Sequence, residues 1–88
     1  MDLAAAYLNN KTGAKQMTVF EQYSGFEDYF KGKTTRDMAR ADYIVFYSSM
    51  VQRHYNEDLW NLYRNKTPEK VIVLNNIEYC WIYPTHPL

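Results

Sequence analysis

Residues 42–55, DYIVFYSSMVQRHY, run from an apolar stretch into two serines and then into Gln52, Arg53 and His54. Open α/β folds place anion and nucleotide sites where a buried strand gives way to a helix, because free backbone N–H groups and the positive end of the helix dipole meet there. Ser48 and Ser49 therefore have two readings. They are helix N-caps, a common role for serine, or they line an anion site. No Gly-rich loop of the dinucleotide or P-loop type accompanies them, which favours the cap. Arg53 has Glu57 four residues on as an intrahelical partner, and otherwise is placed to meet an anionic surface.

The same stretch invites other chemistry. Ser48 or Ser49 with His54 suggests a hydrolase, but the G-x-S-x-G elbow is missing and spacing identifies no carboxylate to orient the histidine. His54 and His86 are the only histidines and no H-E-x-x-H is present, so neither a zinc site nor another cofactor is expected. Glu27 and Asp28 are adjacent and so point to different faces of a helix, an arrangement better suited to solubility than to acid–base work. Cys80, the single cysteine, excludes an internal disulfide and reads as a small buried hydrophobe.

Aromatic residues are unusually frequent at 17%, with nine tyrosines and two tryptophans. Strict alternation along IEYCWIYP (77–84) puts Ile77, Tyr79, Trp81 and Tyr83 on one face and Glu78, Cys80 and Ile82 on the other. That aromatic face is either core with an amphipathic rim, or a platform on which a sugar ring or a protein surface rests beside a carboxylate.

Ten basic and ten acidic side chains cancel, leaving no basic excess on which nucleic-acid binding would rest. The KGKTTRDMAR segment (31–40) concentrates Lys31, Lys33, Arg36 and Arg40; it reads as a solvated face, with lipid phosphates as the alternative contact. Asn10-Lys11-Thr12 and Asn65-Lys66-Thr67 are glycosylation acceptor patterns, relevant only in a eukaryotic secretory pathway. There is no apolar run long enough to span a membrane and no signal-peptide pattern, so the chain by itself is expected to be soluble, and it reads equally as a fragment of something larger.

These residues need elements to position them. Residues 2–10 read as a helix capped by Asp2 and closed near Gly13. Residues 16–23 alternate as a strand, and Ser24 with Glu27 has capping-box spacing for a short helix through 30. GKTT (32–35) reads as a break, followed by a weaker box from Thr34 to Asp37 and a helical turn through Ala41. DYIVFY (42–47) is apolar on both faces, the pattern of a covered strand. A helical segment runs from the serines to Tyr55, and Asn56 caps another in which Leu59, Leu62 and Tyr63 line one face, ended by Pro68. VIVL and IEYCWIY flank Asn75-Asn76, a hairpin signal. The expected fold is a single α/β domain with a small mixed sheet of about four strands, flanking helices and a C-terminal β-hairpin.

Four segments, in order, resemble the C-terminal soluble tail of bacterial polytopic membrane glycosyltransferases, the class related to protein mannosyltransferases and aminoarabinose transferases. They are DLAAAYLN (2–9), Tyr29-Phe30-Lys31-Gly32, ADYIVFY with VQR (41–47, 51–53), and IEYCWIYP. Ser48-Ser49-Met50 and Cys80 depart from that pattern, where asparagine with glutamine and alanine are usual. The resemblance implies a non-catalytic extracytoplasmic domain attached to a transmembrane catalytic portion that takes sugar from a polyprenyl-phosphate donor. On that expectation Gln52, Arg53, Tyr79 and Trp81 contact the catalytic portion, or a glycan or lipid-phosphate-linked sugar, with no catalytic residue in the chain itself. A free-standing module that binds carbohydrate or protein through its aromatics is the alternative.

Overall fold

A computed structural model of the chain describes residues 2–20, 22 and 25–86. Helix α1 (Leu3–Asn9) starts where expected, with Asp2 Oδ1 accepting from Ala5 N at 3.0 Å. Gly13, at φ 79°, then opens a single 3₁₀ turn, Ala14–Gln16. Strand β1 (Thr18–Phe20) begins later than the alternation from 16 suggested, and Glu21 and Tyr23 of that stretch lie outside the described residues. Ser24, the expected cap of the next helix, lies outside the described residues, and Phe26–Asp28 form a 3₁₀ turn rather than an α-helix.

The stretch read as a break is a strand. Lys33–Thr35 forms β2, pairing in parallel with β1 at Val19↔Thr34. Its three residues are two threonines and a lysine, so no apolar alternation marks them. Asp37, rather than Thr34, caps the 3₁₀ turn Met38–Arg40, its side chain accepting from Ala39 N. Strand β3 (Tyr43–Tyr47) is central and buried, as its two apolar faces required. Helices α2 (Ser48–Gln52) and α3 (Glu57–Tyr63) follow, then β4 (Lys70–Leu74) and β5 (Ile77–Pro84). Asn75 and Asn76, at φ 52° and 67°, supply the two positive φ values of a tight hairpin.

The sheet is mixed, in the order β2-β1-β3-β5-β4: β1 is parallel to β2 and β3, whereas β5 is antiparallel to β3 and β4. It therefore has five strands. One face packs Val45, Tyr47, Cys80 and Ile82 against Ala4, Ala5 and Leu8 of α1 and against Phe26 and Phe30. The other packs Ile44, Phe46 and Tyr83 against Trp60 and Tyr63 of α3. Trp60, not Leu62, completes the packed face of α3, and Leu62 is 64% exposed.

Candidate functional site

The carboxyl ends of β1 and β3 form the switch point of the parallel half of the sheet, because the chain leaves β1 toward β2 and leaves β3 toward the hairpin. This crevice is filled by the protein's own side chains. Gln22 Nε2 donates to Val45 O at 2.7 Å, and Gln22 Oε1 accepts from Asn56 Nδ2 at 3.0 Å. The space left beside Val19, Phe26 and Tyr47 is about 10 Å³, room for one water at most. Asn56 occupies the N-cap position of α3 as expected. It sits at φ 52° with no capping bond of its own, because its amide is turned to Gln22.

Ser48 and Ser49 do not cap α2. Tyr47, still extended at φ −106°, ψ 141°, is the capping residue, and no side chain caps the helix. The strand runs into the helix with no intervening residue, so both serines already have helical backbone. Five residues accumulate little dipole, and the structure offers no anion site here. His54, at φ 59°, turns the chain after α2 and its Nδ1 lies 2.9 Å from Glu57 Oε1. Glu57 is thus the partner of His54 and not of Arg53. Among the described residues, neither serine hydrogen-bonds to His54, and no group of three metal-ligating side chains is present. Gln52 and Arg53 are exposed at the end of α2, which packs against β3 and β5.

Tyr79 and Trp81 were expected to share one face, and the structure separates them. Along the hairpin Ile72 pairs with Cys80 but Val73 pairs with Glu78, leaving Tyr79 as the extra residue of a β-bulge in β5. The bulge reverses the alternation. Tyr79 packs its ring edge-on against Tyr47, on the α1 face, at 5.9 Å between centroids. Glu78 moves to the α3 face, where its Oε1 accepts from Trp81 Nε1 at 3.2 Å.

On that face Trp81 packs against Trp60, with centroids 5.1 Å apart and rings inclined at 39°. Trp60 in turn packs on Phe46, which also meets Tyr63 and Tyr83. Much of the aromatic excess is therefore core, and only its margin is open. At that margin lies a groove of about 400 Å³, bounded by Trp60, Trp81 and Glu78 and by Arg64 and Asn65 at the end of α3. Sequence reasoning supplied Trp81 for such a surface but placed Glu78 on the opposite face of the strand, and it did not find Trp60, Arg64 or Asn65.

A second polar constellation joins distant segments on the α1 face. Glu69 Oε2 accepts from Tyr7 Oη at 2.8 Å and from Lys11 Nζ at 2.7 Å, and its Oε1 accepts from Tyr43 Oη at 2.8 Å. Burial opposes ionisation of Glu69, but the bonds from Lys11, Tyr43 and Tyr7 outweigh it and hold the carboxyl below its usual range. The bond to Glu69 in turn raises the Lys11 ammonium, and Tyr7 is raised by the same carboxylate. A carboxylate so fully engaged is a structural clasp and not a catalytic base. Asp2 is likewise committed, accepting from Tyr47 Oη at 2.7 Å; burial and that bond push the Tyr47 phenol up. Burial pushes the neighbouring Cys80 thiol up to about 12, so it is inert near neutrality.

No family model, curated protein or solved structure matches the chain in comparisons with each.

Proposed function

We propose that the chain is a non-catalytic accessory domain on the extracytoplasmic face of a bacterial membrane glycosyltransferase, and that it supports contacts with the transmembrane catalytic portion of an enzyme using a polyprenyl-phosphate sugar donor. The observation that carries this reading is a surface at the carboxyl end of β3. Gln52, the last residue of α2, and Arg53, its C-cap, are exposed there, and α2 packs against β3 and β5. From Val71 to Ile77 the hairpin carries no charge, and Ile77 is 68% exposed, with Val73, Leu74 and Tyr79 also exposed. An exposed, uncharged apolar hairpin tip, with an exposed arginine that makes no ion pair among the described residues, suits docking to another protein surface. The described polar clusters are structural, which supports a binding role over a chemical one.

The decisive variant is Arg53→Ala combined with Ile77→Asp in the parent enzyme. Sugar transfer is expected to fall about tenfold, the equivalent of about 1.4 kcal/mol, while the circular dichroism of the 88-residue chain stays unchanged. Full transfer by the folded double variant overturns the docking surface. A second reading, a free-standing binding module, is favoured by the Trp60–Trp81 groove.

A further inference from the structure

From the groove at the end of α3 we infer that the domain carries a saccharide site, in which a pyranose ring stacks on Trp81 and its hydroxyls are held by Glu78 and Arg64. The site stands on its own residues, whichever protein the domain serves.

Three features meet there. First, Trp60 and Trp81 are half-buried where they border the groove, although both also belong to the aromatic packing around Phe46. The C–H groups on one face of a pyranose carry slight positive charge and complement the negative face of an indole. Second, the polar groups at the margin are unspent. Glu78 uses Oε1 to hold the Trp81 indole, and its Oε2 has no hydrogen bond from a described residue. The Arg64 guanidinium, exposed at the C-cap of α3, makes no ion pair among the described residues although it borders the same groove as Glu78. A carboxylate acceptor and a guanidinium donor flanking a ring face are what vicinal hydroxyls require, since each hydroxyl both donates and accepts. Third, the groove of about 400 Å³ falls in the roughly 300–1,000 Å³ range of small-molecule sites.

Charge narrows the ligand class. Arg64 and Lys66, whose ammonium lies 4.8 Å from the centre of the Tyr63 ring, line the groove with the single carboxylate of Glu78, so a cationic sugar is disfavoured. The bulge at Tyr79 is the device that builds the site. Were Tyr79 paired in regular register, Glu78 would project to the α1 face and Trp81 would lose its carboxylate.

The chain has only two tryptophans and both border the groove, so intrinsic fluorescence reads the site directly. Titration of the 88-residue chain with mannobiose, maltotetraose and cellotetraose is expected to give a saturable emission change with at least one of them. Saturation-transfer NMR should show the contacts on ring C–H protons. Glu78→Ala and Arg64→Ala, both at exposed positions, should each raise Kd about tenfold or more with unchanged circular dichroism, whereas Lys15→Ala should not. Absence of a saturable change with all three saccharides overturns the inference, as does equal binding by both groove variants. Failure here leaves transfer by the Arg53/Ile77 variant to be judged separately, since neither residue borders the groove.

Discussion

Glu69 accepts hydrogen bonds from Tyr7, Lys11 and Tyr43, residues 62, 58 and 26 positions away. Lys11 also lies 5.7 Å from the centre of the Tyr7 ring and 5.4 Å from that of Tyr43, so a cation, an anion and two phenols share one site. Removing the charge costs the charge-assisted bonds: Glu69→Gln should lower stability by about 1–2 kcal/mol, read from urea denaturation. The pH dependence has a definite sign. A carboxyl held below its ordinary value of 4.5 stabilises the fold above that value and loses this contribution as pH falls through the lowered one. The acid limb of stability should therefore flatten in Glu69→Gln, and an unchanged limb would show that other carboxylates control it. None of this was legible in the sequence, where Glu69 is simply the residue after a proline. Periodicity reports which face a residue occupies, and carries no information about partners brought together by sheet order. The same holds for Gln22 and Asn56, whose bond closes the switch-point crevice.

At the scale of elements, the readable parts were those written in local rules. Asp2 caps α1, Gly13 takes a positive φ, β3 is buried on both faces, and Asn75-Asn76 turn the hairpin. The misread parts are set by neighbours. β2 has almost no apolar content and is a strand because β1 offers it a parallel edge. The serines of α2 lost their capping role because the helix begins at Ser48 directly after β3, which leaves Tyr47 in the cap position. The β5 bulge inverted the faces of Glu78 and Tyr79, and a two-residue period cannot register one extra residue. Gly32, just before β2, is a local requirement with a tertiary cause. A Cβ there would lie within 3.0 Å of the carbonyl oxygens of Met17 and Ala14 and of the Phe30 ring. Two of those neighbours are backbone and cannot swing away, so Gly32→Ala should destabilise by about 1–3 kcal/mol. A urea midpoint equal to the parent's would contradict the tight approach.

At the scale of the molecule, one sheet separates two kinds of surface. On the α1 side the Glu69 clasp ties distant segments together, as does Asn9, which donates to Tyr29 O and accepts from Lys31 N, each at 2.7 Å. The hairpin and the ends of α2 and α3 carry the exposed apolar tip, Arg53 and the tryptophan groove. The groups proposed above for recognition thus lie around the antiparallel half, while the parallel half is packed shut at the crevice where such folds hold ligands. No helix among the described residues is long and apolar enough to cross a membrane, so membrane attachment, on the reading proposed above, is supplied by the rest of the parent enzyme. The most direct test is fractionation of the native gene product with an antibody raised against this domain. The account predicts a membrane-bound band several times larger than 10.5 kDa, released by detergent and not by salt. A soluble band near 10.5 kDa would contradict it.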